Sequence, residues 1–225
     1  MSVLESAIRS KRAYEDPTPD KGEFISSDQD TQVYFKREGD TVFVTFRGTS
    51  SLKDVVTDLS ITTYRIKDKI RVHEGFYMQF KSVEIEITKR LVHHLDAKNI
   101  VFAGHSLGGA LAQIAAAYYG EILDFSNVVC HSFGSPRVGN KYFVEWFTKH
   151  VDENIRVQNK RDPVPMIPQL PYWLHTTSKC YSLTDDAIRE TMTDVPWYKR
   201  FIKLFKSKLS EHDSDLYIDR VTKHF

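Results

Sequence analysis

The sequence predicts an α/β fold with a mostly parallel central sheet flanked by helices. Short β-branched and aromatic runs alternate with segments of helical spacing through the middle of the chain. One of these runs, residues 100–103, is too short for a helix and suits a buried parallel strand. It leads through a glycine-bracketed serine straight into an Ala-rich segment. A length of 225 residues fits a single domain over residues 1–225 with a substantial core.

The elements follow in order. Residues 15–30, rich in Asp, Pro, Ser and Gly, read as an extended surface loop. Residues 32–36 and 41–46 read as strands joined by the turn Glu38-Gly39-Asp40. Phe76, Phe80, Val83, Ile87, Leu91 and Leu95 recur three or four apart, which predicts a helix over 75–95. Residues 107–119 predict a buried helix ending at Gly120. Val128-Val129 and residues 155–157 predict further strands, with a helix over 141–149 between them. After Pro196, two helices are expected around an acidic break at 211–215.

Composition narrows the function classes. Apolar residues make up 41% and charged residues 27%, which excludes a disordered or fibrous chain. The net charge of +1 gives no electrostatic reason to expect a nucleic-acid partner. Cys130 and Cys180 are too few for a disulfide framework and are expected to be reduced and buried. The first 25 residues lack the apolar stretch of a signal peptide, and no run approaches the about 18 apolar residues of a membrane span. The expectation is a soluble, intracellular protein without a transmembrane segment.

The chemistry concentrates in Gly104-His105-Ser106-Leu107-Gly108-Gly109. A strand entering Gly-x-Ser-x-Gly and a helix leaving it is the context of a nucleophile elbow, a turn so tight that glycine is needed beside the serine. The turn projects the Ser106 hydroxyl out of the sheet, at the N-terminus of the helix. An ordinary glycine-rich βα turn with an incidental serine is the plainer alternative.

In this order, Val44-Thr-Phe-Arg-Gly-Thr-Ser50, Val72-His-Glu-Gly-Phe76, Gly104 to Gly109, Phe133-Gly-Ser-Pro-Arg-Val-Gly-Asn140 and Arg161-Asp-Pro-Val-Pro165 resemble the class 3, fungal-type lipases of the α/β-hydrolase fold. The resemblance covers about residues 30–175. It implies an acylglycerol lipase or esterase that cleaves lipid esters through an acyl-serine, with a short lid over the site.

A serine nucleophile needs a histidine base oriented by a carboxylate, in the chain order Ser, Asp, His for this fold. Asp162 follows a strand at its carboxyl end, where such folds build their sites, and Pro163 restricts its backbone. The resemblance assigns the acid to the same residue; Asp152, which precedes its strand, is a weaker rival. His175 and His212 both follow Asp162. The resemblance favours His212, which stands ahead of Tyr217 and a helix, and gives His175 a non-catalytic place. His73 breaks the order, while His93 and His94 lie on a helix.

Acyl transfer also needs two donors for the oxyanion. The Leu107 backbone N–H is one candidate. The resemblance places the second at Thr49, which would equally serve to cap a following helix. Residues 51–61 carry Leu52, Val55, Val56, Leu59 and Ile61 at helical spacing, as a lid or as a docked helix. Residues 197–209 are basic on one side and aromatic on the other, fitting transient contact with a lipid interface or simple packing. The histidines lack ligand spacing and no nucleotide fingerprint appears, so neither metal nor cofactor is expected. A lipase-like scaffold protein and an acyltransferase on the same fold are the alternative functions.

Overall fold

The computed structural model describes residues 2–15, 23–28, 30–49, 62–168, 173–176, 179–191 and 208–225. The expected lid, residues 51–61, lies outside these, as does most of the basic amphipathic segment. Among the described residues the strands are β1 (Glu23–Ser26), β2 (Gln32–Glu38), β3 (Thr41–Phe46), β4 (Thr63–Lys67), β5 (Ile70–His73), β6 (Asn99–His105), β7 (Asn127–Phe133), β8 (Glu153–Asn159), β9 (Lys179–Leu183) and β10 (Ile188–Thr191). The α-helices are α1 (Val3–Arg12), α2 (Glu74–Val92), α3 (Leu107–Ile122), α4 (Lys141–His150) and α5 (Ser214–His224).

Eight strands form one sheet in the order β1-β2-β3-β6-β7-β8-β9-β10, while β4 and β5 make a separate hairpin. Strands β3, β6, β7, β8 and β9 are parallel; the outer pairings are antiparallel. The parallel centre is buried on both sides, which is why Ile100, Val101, Phe102 and Ala103 are apolar without alternation. Helices α2, α3 and α4 cover one face through Phe80, Ile87, Leu111, Ile114 and Phe143. On the other face α1 and α5 pack Val3, Ala7, Tyr217 and Val221 over Phe133, Ile155 and Val157.

Several elements depart from the sequence expectation. Helix α3 runs through Gly120 to Ile122 rather than stopping there. A side chain at Gly120 would meet the His150 carbonyl oxygen at 2.1 Å, so the glycine serves close packing against α4 instead of ending the helix. The presumed loop over 15–30 contains β1, paired with β2. Helix α1 carried no apolar stripe because its buried positions are Val3, Ser6, Ala7 and Ser10, mostly small or polar. Cys130 and Cys180 are both buried, and no disulfide links them.

The α1 face seats a buried polar pair. Ser6 Oγ lies 2.8 Å from Nδ1 of His131, whose Nε2 is 3.7 Å from Glu153. Burial pushes the His131 imidazole down to about 4, against an opposing pull from Glu153. The unfolded chain therefore takes up a proton near pH 6.5, while the folded chain resists until about pH 4. Stability is expected to hold above pH 6.5 and to fall by on the order of 3 kcal/mol as the pH drops to about 4. Urea midpoints at pH 7 and pH 4.5 check this, and His131→Gln should shrink the difference.

Candidate active site

Parallel pairing sets Phe46, Gly104 and Ser132 level, and likewise His105, Phe133 and Val157. The segments after β3, β6, β7 and β8 therefore leave the same sheet edge, carrying Thr49, Ser106, Gly134 and Asp162 respectively. Asp152 sits at the opposite edge, before β8, where its Oδ2 accepts from the Val128 N–H at 2.8 Å.

Ser106 has φ 59° and ψ −127°, a strained backbone that L residues seldom adopt. Its N–H donates to the Phe133 carbonyl at 2.8 Å, and its own carbonyl accepts from Gly109 N–H at 3.0 Å. The turn is tight because the start of α3 rests on β3: a side chain at Gly108 would meet the Phe46 carbonyl oxygen at 2.2 Å. Ser106 is fully buried, whereas the elbow alone suggested an outward hydroxyl.

Asp162 and His212 are joined across the fold. His212 Nδ1–H donates to Asp162 Oδ2 at 2.6 Å, with both side chains entirely buried. His212 stands at the end of the short 3-10 turn Leu209–His212, just ahead of α5. Its ring stacks on His105, the neighbour of Ser106, with centroids 4.5 Å apart and planes 30° from parallel. His212 Nε2 and Ser106 Oγ are both buried atoms without a hydrogen-bond partner. No hydrogen bond joins the two in this structure; His212 reaches the nucleophile's turn through its stack on His105, the residue before Ser106.

His175 takes a different place. Its Nε2–H donates to the Pro165 carbonyl at 2.7 Å, so it braces the 3-10 turn Val164–Met166 that follows Asp162. His73 packs between Phe76 and Trp173, and His94 stacks on Phe35. His93 caps the C-terminal end of α2.

Thr49 and Leu107 line one cavity of about 370 Å³, together with Asp30, Thr31, Gln32, Arg47, Gly48 and Gln79. Arg47 is held there by Gln32, whose Oε1 accepts at 2.6 Å.

Sequence reasoning gave Tyr217 no chemical part. Its O–H donates to Asp162 Oδ2 at 2.6 Å, while its oxygen accepts from the Asn159 N–H at 2.9 Å. Burial and the adjacent Asp162 charge hold the phenol well above its usual pKa, so it stays a donor. The contact spans 55 residues of sequence, and only the tyrosine's place shortly after a histidine hinted at it.

Sheet, elbow and buried Asp–His pair together define an α/β-hydrolase. The family model for lipase (class 3) matches residues 43–172, and the chain belongs to that family. It is 32% identical over 148 residues to secreted mono- and diacylglycerol lipase 1 of Fusarium solani, covering 63% of this chain and 44% of the relative. The chain thus spans less than half the length of that curated relative. Among solved structures it is similar to the Rhizomucor miehei triacylglyceride lipase, with a TM-score of 0.80, 22% identity and coverage of 93% and 90% of the two chains. Another similar structure is a triacylglycerol lipase whose catalytic centre is a serine protease triad, at TM-score 0.74, 24% identity and coverage of 93% and 89%. No helix among the described residues is long and apolar enough to cross a membrane.

Tyr217→Phe tests the support of Asp162 with little change in shape. Losing one hydrogen bond to a buried carboxylate is expected to lower turnover of p-nitrophenyl butyrate about tenfold. Unchanged turnover in a correctly folded variant would remove Tyr217 from the machinery.

Proposed function

We propose that this chain hydrolyses carboxylic esters of acylglycerols through an acyl-Ser106 intermediate. One observation carries the reading: the buried Asp162–His212 pair stacks on His105, the residue before Ser106, with the imidazole Nε2 and the serine Oγ both uncommitted. In the first half-reaction Nε2 accepts the Ser106 proton as Oγ attacks the ester carbonyl. The tetrahedral oxyanion is held by the Leu107 backbone N–H and by Thr49, which share a cavity wall. Collapse breaks the bond to the alcohol, which leaves with the proton returned from Nε2. Water then repeats the sequence on the acyl-serine, with His212 again as base. Asp162 holds the imidazole in the required tautomer throughout and stabilises its charged form.

The polar lining of that cavity supports a small polyhydric alcohol such as glycerol as the leaving portion, in line with the mono- and diacylglycerol lipase named among the relatives. Ser106 has no exposed surface, so a lipid ester reaches it only after an opening movement at the site. Contact with a lipid interface during that step suits such a substrate. That relative is named as secreted, which lends the expected intracellular location no support. A scaffold role would not require a buried Asp–His pair with the outer imidazole nitrogen left open. An acyltransferase would differ only in the acceptor, alcohol in place of water.

Ser106→Ala should abolish turnover of p-nitrophenyl butyrate and of monoacylglycerol while leaving the urea midpoint unchanged, since Oγ makes no hydrogen bond. Asp162→Asn should cost about 10⁴-fold in kcat through the wrong imidazole tautomer. Residual turnover above a tenth in Ser106→Ala would refute the nucleophile.

A further inference from the structure

Tyr14 follows α1 and lies outside the residues matched by the family model. Its hydroxyl is 3.0 Å from Nδ1 of His105, 91 residues away in sequence. The two rings meet edge to face at 5.8 Å. The same hydroxyl presses on the loop after β3: a side chain at Gly48 would meet the Tyr14 oxygen at 2.1 Å. The Arg47 guanidinium lies over the Tyr14 ring at 5.9 Å. On its other sides His105 carries His212, stacked at 4.5 Å, and Tyr217, edge-on at 5.2 Å and itself bonded to Asp162.

His105 is thus the common wall between the nucleophile's turn and the proposed base. When His212 becomes an imidazolium during acyl transfer, the ring stacked on it must stay neutral, because two cations at this separation repel. We propose that Tyr14 is a positioning residue for the reaction, its hydroxyl fixing the plane and tautomer of the His105 ring against which His212 works. This rests on the hydrolase reading above. Burial and the nearby His212 charge hold His105 well below its usual pKa, and burial keeps Tyr14 protonated. The Gly48 backbone N–H already donates to the Tyr14 oxygen, so the hydroxyl's own proton is directed to His105 Nδ1, which places the His105 proton on Nε2, toward the His212 backbone.

Tyr14→Phe keeps the ring and its packing and removes only the hydroxyl. Without that donor, Nδ1 takes a proton more readily as the pH falls, and a charged His105 opposes the His212 imidazolium. The titratable and charged groups that face His105 are Tyr14, Tyr217, the Arg47 cation beyond Tyr14, His212 and, behind His212, Asp162.

The test is the pH dependence of p-nitrophenyl butyrate hydrolysis by wild type, Tyr14→Phe, His105→Phe and the double variant. The expected result for Tyr14→Phe is a kcat about tenfold lower with KM within about twofold. The acid limb of kcat/KM should move to higher pH, and adding Tyr14→Phe to His105→Phe should change nothing further. Equal losses in both backgrounds, or an acid limb that does not move, would overturn the positioning role. If the His105 variants do not fold, the acid limb of Tyr14→Phe decides alone. A wild-type chain that neither turns over ester nor reacts with a fluorophosphonate refutes the hydrolase reading and this inference together. An active wild type indifferent to Tyr14→Phe refutes this inference only.

Discussion

A carboxylate taken out of water has to collect donors, and Asp162 collects three. Val164 N–H reaches Oδ1 at 2.9 Å, while Tyr217 O–H and His212 N–H both reach Oδ2 at 2.6 Å. The donors come from the turn after β8, from α5 and from the segment before α5. An unpaired buried charge is costly enough that these pieces are held to one arrangement. Asn159 tightens it further: its N–H donates to Tyr217 and its side-chain amide donates to the Glu211 carbonyl at 2.7 Å, next to His212. The His212 ring is therefore held in one orientation by the folded chain alone.

This arrangement ties the two ends of the chain to the centre. Helices α1 and α5 share one apolar cluster over β7 and β8, which brings Tyr14 and Tyr217 to either side of His105. Gly134, at φ +57°, leaves room for the pair; a side chain there would meet the His212 ring at 2.9 Å and Asp162 at 3.0 Å. The Gly-Ser-Pro-Arg motif after β7 is therefore a spacer for the Asp–His contact. Its Arg137 donates to the carbonyls of Met166 and Pro168, steadying the loop that carries Asp162.

What could be read from sequence was whatever chemistry is written locally. The elbow is covalently contiguous, so strand, glycines, serine and helix could be recognised together, and the central strands declared themselves by apolar runs. Asp162 was legible from its position after a strand. His212 and His175 could not be separated by residue pattern, because the choice depends on which one folds back across 50 residues to Asp162; the family resemblance favoured the former. Tyr14 and Tyr217 were silent for the same reason. Helix α1 escaped notice because serines and an alanine fill most of its buried side, and β10 because it is short and half polar.

The central claim is that His212, held by Asp162, activates Ser106. Its most direct measurement is the rate of phosphonylation by a fluorophosphonate ester, with peptide mapping of the adduct, in wild type, His212→Ala and His175→Ala. The expected result is one adduct per chain, on Ser106, forming at least about 10³-fold more slowly in His212→Ala and within a few-fold of wild type in His175→Ala. An adduct on another residue, or a rate that survives His212→Ala and collapses in His175→Ala, would contradict it.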